Sequence, residues 1–337
     1  MAELTVAAGL ARGLLALAVA KGANQAELAA RASISVEDLE DQDNRIPLSK
    51  YIALTRGGAK LCNDPALALH YGETIDLSEI SVVGMIGRAA ETMLDAMAQI
   101  NRFGRLVIEV DVGTQDRFQL DHKDNELWLV DTRPNPNDFP ELTEATFARM
   151  VCNSRQFGTA TMLKAIHVTH PRPPHSAEYD RIFGVPITFE SQRNAMQIAQ
   201  SWLTVKVALA PRYVFGILSE HADALLKSLE NSKTTRGHIE SLLIPVLHTG
   251  DISMEMIATK MRVSRQTLFR KLKAEGTTFE KLLDELRHKL ALHYLNGKHV
   301  SVNETAYLVG FSEAAAFSRA FKRWTGLSPS AMRKSPP

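Results

Sequence analysis

The sequence of 337 residues has only two cysteines, Cys62 and Cys152, and no CxxC spacing. A disulfide-stapled secreted domain and a paired-thiolate zinc site both need more cysteines than this. The two thiols fit a reducing compartment, so we expect a cytoplasmic protein.

Long apolar runs are also lacking. The N-terminal segment LTVAAGLARGLLALAVA is interrupted by Arg12 and is shorter than the ~20 residues of a membrane-spanning helix. Glu3 stands where a signal peptide carries positive charge. Leu10, Leu14 and Ala18 recur at helical spacing, which predicts an amphipathic helix and no membrane partner.

Motifs of common enzymes do not occur: there is no Gly-rich phosphate loop, GxSxG elbow or HExxH. The segment HVTHPRPPH contains His167, His170 and His175. In a strand the first two would point to opposite faces, and the prolines exclude a helix. We therefore expect no metal, no cofactor and no enzymatic activity.

The net charge of +1 hides an uneven distribution. From Arg236 to the end there are 16 Lys and Arg against 9 Asp and Glu, a balance of +7, which leaves −6 for residues 1–235. A basic excess confined to one end indicates a polyanionic partner for that end. The polar segment NSKTTRG, residues 231–237, separates the two regions.

One segment of the basic region occurs twice, as SRQTLFRKLKAEG (264–276) and SEAAAFSRAFKRWTG (312–326). Small insertions between the copies are those that a duplicated structural unit tolerates in its turns. Ser264 matches Ser312 at an offset of 48 residues. The offset is 49 residues between Leu268 and Phe317, and 50 residues between Gly276 and Gly326.

Each copy has the pattern of a helix-turn-helix. In the first copy residues 262–263 form the predicted turn, Ser264 is the predicted N-cap of the second helix, and Gly276 ends it. In the second copy Gly310 occupies the turn and Ser312 is the predicted N-cap. Between the copies, residues 279–296 predict a continuous helix of roughly 27 Å. Such a spacer can hold two recognition helices about one DNA turn apart.

At these residues a family resemblance appears. The stretch from about Arg236 to Lys334 resembles the DNA-binding domain of the AraC/XylS family of bacterial transcription regulators. The segment LVGFSEAAAFSRAFKRWTGLSPSAMR, residues 308–333, is similar to the family signature, and ATKMRVSRQTLFRKLKAEG, residues 258–276, resembles the first unit. The resemblance implies promoter DNA and RNA polymerase as partners, activation more often than repression, and a homodimer contact in the N-terminal domain.

The resemblance also implies which side chains face the DNA groove. In the first unit Gln266, Phe269 and Arg270 supply groups suited to adenine, a thymine methyl and guanine. In the second unit the corresponding positions include two alanines, Ala314 and Ala315, which cannot donate or accept hydrogen bonds. We therefore expect the first unit to read more bases than the second. The predicted DNA-contacting residues are Arg265, Gln266, Phe269, Arg270, Lys273, Ala315, Ser318, Arg319 and Lys322.

The N-terminal region predicts an α+β domain. Helices are expected through about residue 102, strands at RLVIEV (105–110), RFQL (117–120) and ELWLV (126–130) with a KDN turn (123–125), and a helix over 141–157. Strands at KAIHVTH and PITFE and helices near 193–203 and 217–229 complete the pattern. FGVPITFESQRNAM, residues 183–196, and the glycines Gly84 and Gly87 resemble the arabinose-binding-like effector domain of one branch of the family.

The predicted organisation is an α+β effector domain over residues 1–230, a linker over 231–235, and an all-α domain over 236–337 with two helix-turn-helix units joined by a linker helix. The predicted function is sequence-specific transcription regulation controlled by a small organic effector. Candidate effector contacts are Arg88, Trp128, Arg149 and His167. Two alternatives stay open: a repair or other enzyme with an appended DNA-binding module, which thiol dependence would reveal, and a constitutive architectural DNA binder.

Overall fold

The polypeptide folds into two units, Met1–Leu226 and Lys227–Pro337. The computed structural model describes residues 3–113, 115–123, 126–207, 212–250, 252–296 and 300–334. The first unit mixes helices with a sheet and the second is helical, which confirms the predicted fold class. Within the described part of the chain, no helix is both long and apolar enough to cross a membrane.

The helices of the N-terminal unit begin at local capping signals. Asn24 accepts a hydrogen bond from the Glu27 amide, and Thr92 and Asp95 form a reciprocal capping box, so backbone donors at both helix starts are satisfied. The helices are α1 (Ala8–Ala20), α2 (Gln25–Ala32), α3 (Leu48–Leu61), α4 (Leu67–Thr74), α5 (Leu77–Ile80), α6 (Val82–Ala89), α7 (Met93–Val107), α8 (Pro140–Ser154) and α9 (Ser176–Phe183).

A five-stranded sheet packs against these helices. Alternate residues of its strands, such as Leu127 and Leu129, are buried in one core with Phe147 of α8 and Met97 of α7. The strands are β1 (Thr5–Ala7) and β2 (Arg45–Pro47), which pair separately, and β3 (Phe118–Lys123), β4 (Glu126–Asp131), β5 (Leu163–His167), β6 (Ile187–Thr188) and β7 (Asn194–Ile198). The order in the five-stranded sheet is β3-β4-β7-β5-β6, and among its pairs in the described residues only β5–β6 is parallel.

Two of the predicted elements are wrong. The segment 105–110 was expected to be a strand, but its first three residues form the last turn of α7. Phe103 and Leu106 continue the buried face of that helix. The expected helix near 193–203 contains β7, a central strand hydrogen-bonded to β4 and β5. Its alanine, methionine and glutamine favour helix locally, but pairing on both sides outweighs that preference. Residues 124 and 125 of the predicted KDN turn lie outside the described residues.

A polar network links α8, α9 and the segment between β5 and α9. The Tyr179 hydroxyl is 2.8 Å from Glu144 Oε1 and 2.9 Å from His170 Nε2, and His175 Nε2 is 2.9 Å from the same carboxylate oxygen. Two of the histidines considered above therefore serve this network. His170 lies beyond the end of β5, so the strand geometry assumed for it is wrong.

Removing the shared hydroxyl by Tyr179→Phe is expected to lower the free energy of unfolding by about 1–3 kcal/mol, because two buried groups lose a partner. Urea unfolding followed by circular dichroism measures the change. Tyr213→Phe is the control, since Tyr213 is 78% exposed and should leave the midpoint unchanged. Equal stability of the two variants would contradict an energetic role for the network.

The helices of the basic region follow. α10 begins in the first unit and ends at Ser232 in the second, so the predicted linker 231–235 contains the end of α10 and the start of α11. The helices are α10 (Arg212–Ser232), α11 (Thr235–Leu243), α12 (Met254–Lys260), α13 (Arg265–Ala274), α14 (Phe279–Asn296), α15 (Val302–Leu308), α16 (Ala314–Thr325) and α17 (Pro329–Lys334).

Two small cores hold the C-terminal unit together. Leu268 and Leu272 of α13 pack with Ile257 of α12 and Leu282 of α14 in the first core. The second core joins Phe317 and Phe321 of α16 to Val309, Ala306, Ala291 and Leu295. The continuous helix α14 contributes to both cores and covers the predicted residues 279–296.

Candidate functional sites

The first helix-turn-helix consists of α12, a tight turn and α13. Arg262 adopts a left-handed conformation in the turn, with φ 54°, and the Val263 amide donates to the Ala258 carbonyl. Ser264 then caps α13 by accepting a hydrogen bond from the Thr267 amide at 3.1 Å. The predicted turn and N-cap of this unit are therefore confirmed.

The outer face of α13 presents the predicted base-reading side chains to solvent. Gln266, Phe269, Arg270 and Lys273 are exposed, Phe269 to 53%. None of these four side chains has a hydrogen-bond or ion-pair partner among the described residues. Arg265 is exposed as well, but its Nε lies 2.9 Å from Glu255 Oε1 on α12.

The second helix-turn-helix starts with a capping box, in which Ser301 and Glu304 exchange hydrogen bonds at the start of α15. Gly310 makes the turn with φ 81°. The residue that precedes α16 is Glu313, which makes no side-chain cap, so the prediction of Ser312 as the N-cap is wrong. The start of α16 is thus one residue later than the match with α13 predicts. This shift coincides with the inserted residue that raises the offset between the copies from 48 to 49.

The outer face of α16 carries fewer polar groups than that of α13. Ala315, Arg319 and Lys322 are exposed and Ser318 is half-buried. Ala314 is half-buried and packs partly against the second core, and its groove-facing role stays a prediction.

Contacts from α14 fix the second unit in place. Arg287 donates to the Gly310 carbonyl at 3.3 Å, and its guanidinium lies 4.9 Å from the centre of the Phe311 ring. Arg323 and the indole of Trp324 both donate to Asp284, at 2.6 and 3.0 Å. The orientation of α16 is thus set by α14, and Arg323 is engaged within the protein.

A cavity of about 130 Å³ lies in the N-terminal unit, between α6, α7 and α8. Its wall is mostly apolar with a few polar groups, the composition typical of a small-molecule site. The apolar wall includes Met93, Met97, Ile100, Phe157, Trp202 and Val207, and the polar groups include Asp76, Ser78, Arg88, Arg149 and Asn153.

Two of the four candidate effector contacts, Arg88 and Arg149, line this cavity. Trp128 and His167 do not line it. Their rings lie together, with centroids 4.5 Å apart, and the Arg193 guanidinium is 5.0 Å from the Trp128 ring. Burial, together with Arg193, lowers the pKa of His167. The residues that sequence reasoning missed, such as Met97 and Trp202, carry no signal in their local sequence that marks a cavity wall.

Neither cysteine has a lowered pKa, although the Arg155 guanidinium donates to Cys152 Sγ at 3.7 Å. Burial raises the pKa of both thiols, and the neighbouring Asp64 carboxylate raises that of Cys62 further. The Cys62 thiol donates to the Gly58 carbonyl, as a protonated group does. A reactive thiolate needs the opposite surroundings, so these environments give no support to a thiol-dependent repair chemistry.

Two helix-turn-helix units on one linker helix, preceded by an α+β unit with an apolar cavity, define a DNA-binding transcription regulator controlled by an effector. Residues 22–207 match the family model described as the arabinose-binding domain of AraC transcription regulator, N-terminal, and residues 257–335 match the model of a helix-turn-helix domain. The chain belongs to the AraC family of transcription regulators, as the resemblance of its C-terminal region implied.

Similar proteins include other regulators. The ornithine utilization regulator of Pseudomonas aeruginosa is 28% identical, over 99% of this chain and 98% of the relative. The HTH-type transcriptional regulator VqsM of the same species is 25% identical over 79% of this chain and 83% of the relative. The crystal structure of the regulator CdpR from Pseudomonas aeruginosa aligns with a TM-score of 0.37 and 21% identity, over 80% of this chain and 86% of that one.

Proposed function

We propose that this regulator activates transcription from a promoter whose sequence is read mainly by α13. The supporting observation is the outer face of that helix, where Gln266, Phe269 and Arg270 are exposed and have no partner in the described part of the protein. Such side chains can enter a major groove without giving up an internal hydrogen bond.

The roles of the individual side chains follow from their chemistry. Gln266 pairs with an adenine edge, Arg270 with guanine, and Phe269 contacts a thymine methyl. Arg265 exchanges its ion pair with Glu255 for a phosphate. The remaining contacts fix the position of the protein on the duplex, through phosphates or a methyl group, and come from Lys273, Ala315, Ser318, Arg319 and Lys322.

The effector binds in the cavity between α6, α7 and α8. Its few polar groups sit in a largely apolar wall, and two of them belong to the candidate contacts Arg88 and Arg149. An effector that binds one conformation of the N-terminal unit better than another shifts the population that holds promoter DNA and recruits RNA polymerase. The family resemblance supports a homodimer formed through this unit and action in the cytoplasm, where promoter DNA lies.

Filling the cavity is expected to abolish the effector response while leaving DNA binding intact. Gly87 lines the cavity, and a Cβ atom added there would meet no atom within 4 Å. Gly87→Leu therefore adds a side chain at the cavity wall, and its Cβ atom meets no neighbour there. The control is Gly104→Leu on α7, an equally open position that does not line the cavity. Both changes remove a helix-interior glycine, so their effects on helix stability match.

A reporter fused to the DNA upstream of the chain's own gene measures the response in cells given a panel of small metabolites. Ornithine joins the panel because one relative regulates its utilization. We expect Gly104→Leu to respond as the wild type does and Gly87→Leu to bind the same DNA without responding. An unchanged response of Gly87→Leu would show that the effector binds elsewhere.

A further inference from the structure

We propose that the effector is a small monocarboxylate with a compact apolar body, and that its carboxylate pairs with the guanidinium of Arg149. The inference rests on the proposed role of the cavity as the effector site. It assigns the chemical class of the ligand, which the family model and the relatives leave open.

Of the charged side chains that line the cavity in the described part of the protein, Arg149 is the one without a counter-charge. Its guanidinium makes no hydrogen bond and no ion pair with any described residue. The ionisable groups that act on its pKa are Arg117, a like charge, and the phenols of Tyr51 and Tyr71. Burial raises the pKa of both phenols, so they are neutral at physiological pH.

The guanidinium of Arg149 nevertheless keeps its proton. Burial lowers its pKa, because a low-dielectric setting disfavours the charged form. An arginine starts so far above neutrality that it remains a cation under physiological conditions. Arg149 is half-buried and has no partner among the described residues, so a carboxylate that binds it in a two-pronged arrangement gains two charge-assisted hydrogen bonds.

The other polar groups of the cavity are already engaged. Arg88 donates to Asp76 Oδ2 at 2.5 Å, and Asp76 Oδ1 accepts from the amide and the hydroxyl of Ser78 at 2.9 and 2.7 Å. Asn153 donates to the Ile75 carbonyl at 3.1 Å. The charged side chains of the lining are Arg88, Arg149 and Asp76, which together carry a net charge of +1. One carboxylate on the ligand balances this charge, whereas a dianion would leave an excess negative charge.

The size and polarity of the rest of the cavity define the body of the ligand. The apolar part of the wall includes the side chains of Met97, Phe157 and Trp202. The volume of about 130 Å³ is close to that of the ~150 Å³ apolar cavity known to bind benzene. A carboxylate carried on a phenyl ring or a short alkyl chain therefore matches the space, whereas a polyhydroxylated sugar would leave hydroxyls unpaired against an apolar wall.

The test compares acids with their uncharged amides on the purified full-length chain. The probes are benzoate and hexanoate, against benzamide and hexanamide, measured by isothermal titration calorimetry and by the midpoint of thermal unfolding. The variants are Arg149→Gln and Arg149→Met, with Arg102→Gln as the control because Arg102 is exposed on α7 and outside the cavity. Circular dichroism establishes that each variant is folded.

We expect at least one acid to bind the wild type and the control at least about tenfold more tightly than its amide. Both Arg149 variants should lose this preference. Without ligand, Arg149→Met should unfold at a temperature no lower than the wild type, since the described structure holds no hydrogen bond or ion pair of Arg149 that the change would break. A structural role for Arg149 would instead lower the midpoint of both variants.

Equal binding of acids and amides by the wild type, retention of the preference in Arg149→Gln, or no binding of any probe would each overturn the proposal. The role of the cavity is judged separately, by the response of Gly87→Leu to whatever effector the reporter reveals. If Gly87→Leu loses the reporter response but the wild type does not prefer acids to amides, only the ligand class is refuted. If Gly87→Leu still responds, the cavity is refuted as the effector site.

Discussion

Replacing Gln266 and Arg270 together by alanine is expected to weaken binding to the specific promoter site by roughly a hundredfold or more, because each two-pronged base contact contributes ~1–3 kcal/mol. The fold should not change, since both side chains are exposed and neither has a partner in the described structure. Leu268 and Leu272, on the opposite face of α13, stay in the first core. Fluorescence anisotropy with the DNA upstream of the chain's gene, at fixed salt, measures the loss.

Lys273→Ala separates base reading from phosphate contact. It should weaken binding to all sequences by similar factors and reduce the slope of log K against log salt by about one. The double variant should instead lose its preference for the specific site over an unrelated duplex. If the double variant and the wild type bind the specific site equally at matched salt, base readout by this face of α13 is wrong.

The C-terminal unit could be predicted closely from the sequence because its signals are local. A serine N-cap, a buried pair four residues apart and a glycine after the helix define α13, and each acts within one or two turns. The turn at Gly310 and the first and last residues of α14 were predicted from local signals of the same kind. The cap of α16 was misplaced because Ser312 copies Ser264 in sequence, while the inserted residue moves the helix start to follow Glu313.

The cavity could not be predicted in the same way, because its wall comes from segments far apart in the chain. Arg88 and Arg149 are separated by a helix, a strand pair and a loop before they meet. Trp128 was an equally reasonable candidate. Its neighbours Leu127 and Leu129 enter the helix-covered core, so alternation turns Trp128 to the opposite face of the sheet. Which face of a sheet the helices cover is decided by tertiary packing, and one strand's pattern does not reveal it.

The segment around β7 shows the same limit for secondary structure. Residues 193–203 contain residues with good helix propensity, yet Ala195 and Met196 are buried between two neighbouring strands. Hydrogen bonds to both neighbours outweigh a preference that amounts to only a few tenths of a kcal/mol per residue. The helix prediction was wrong because β4 and β5, the partners of this strand, lie elsewhere in the sequence.

Gly310→Ala is expected to destabilise the C-terminal unit by about 3 kcal/mol or more, combining left-handed strain with a steric clash. Gly310 has φ 81°, and a Cβ atom there would lie 2.2 Å from the carbonyl oxygen of Leu247. That atom belongs to the backbone, so it cannot move aside as a flexible side chain would. The Arg287 guanidinium also lies close, 3.3 Å from the same Cβ position.

Gly276→Ala is the matched control, since Gly276 has φ 69° in the turn after α13 but would place its Cβ atom in open space. It should cost only about 1 kcal/mol, the strain alone. Hydrogen exchange of the amides of α15 and α16 distinguishes the two variants, because displacement of Gly310 breaks the contact with Arg287 that holds the second unit on α14. We expect protection in these helices to fall far more in Gly310→Ala than in Gly276→Ala, with DNA affinity falling in parallel as the second unit loses its orientation. Equal protection in the two variants would mean that the Leu247 segment moves away freely, and that the close approach at Gly310 does not fix the position of α16.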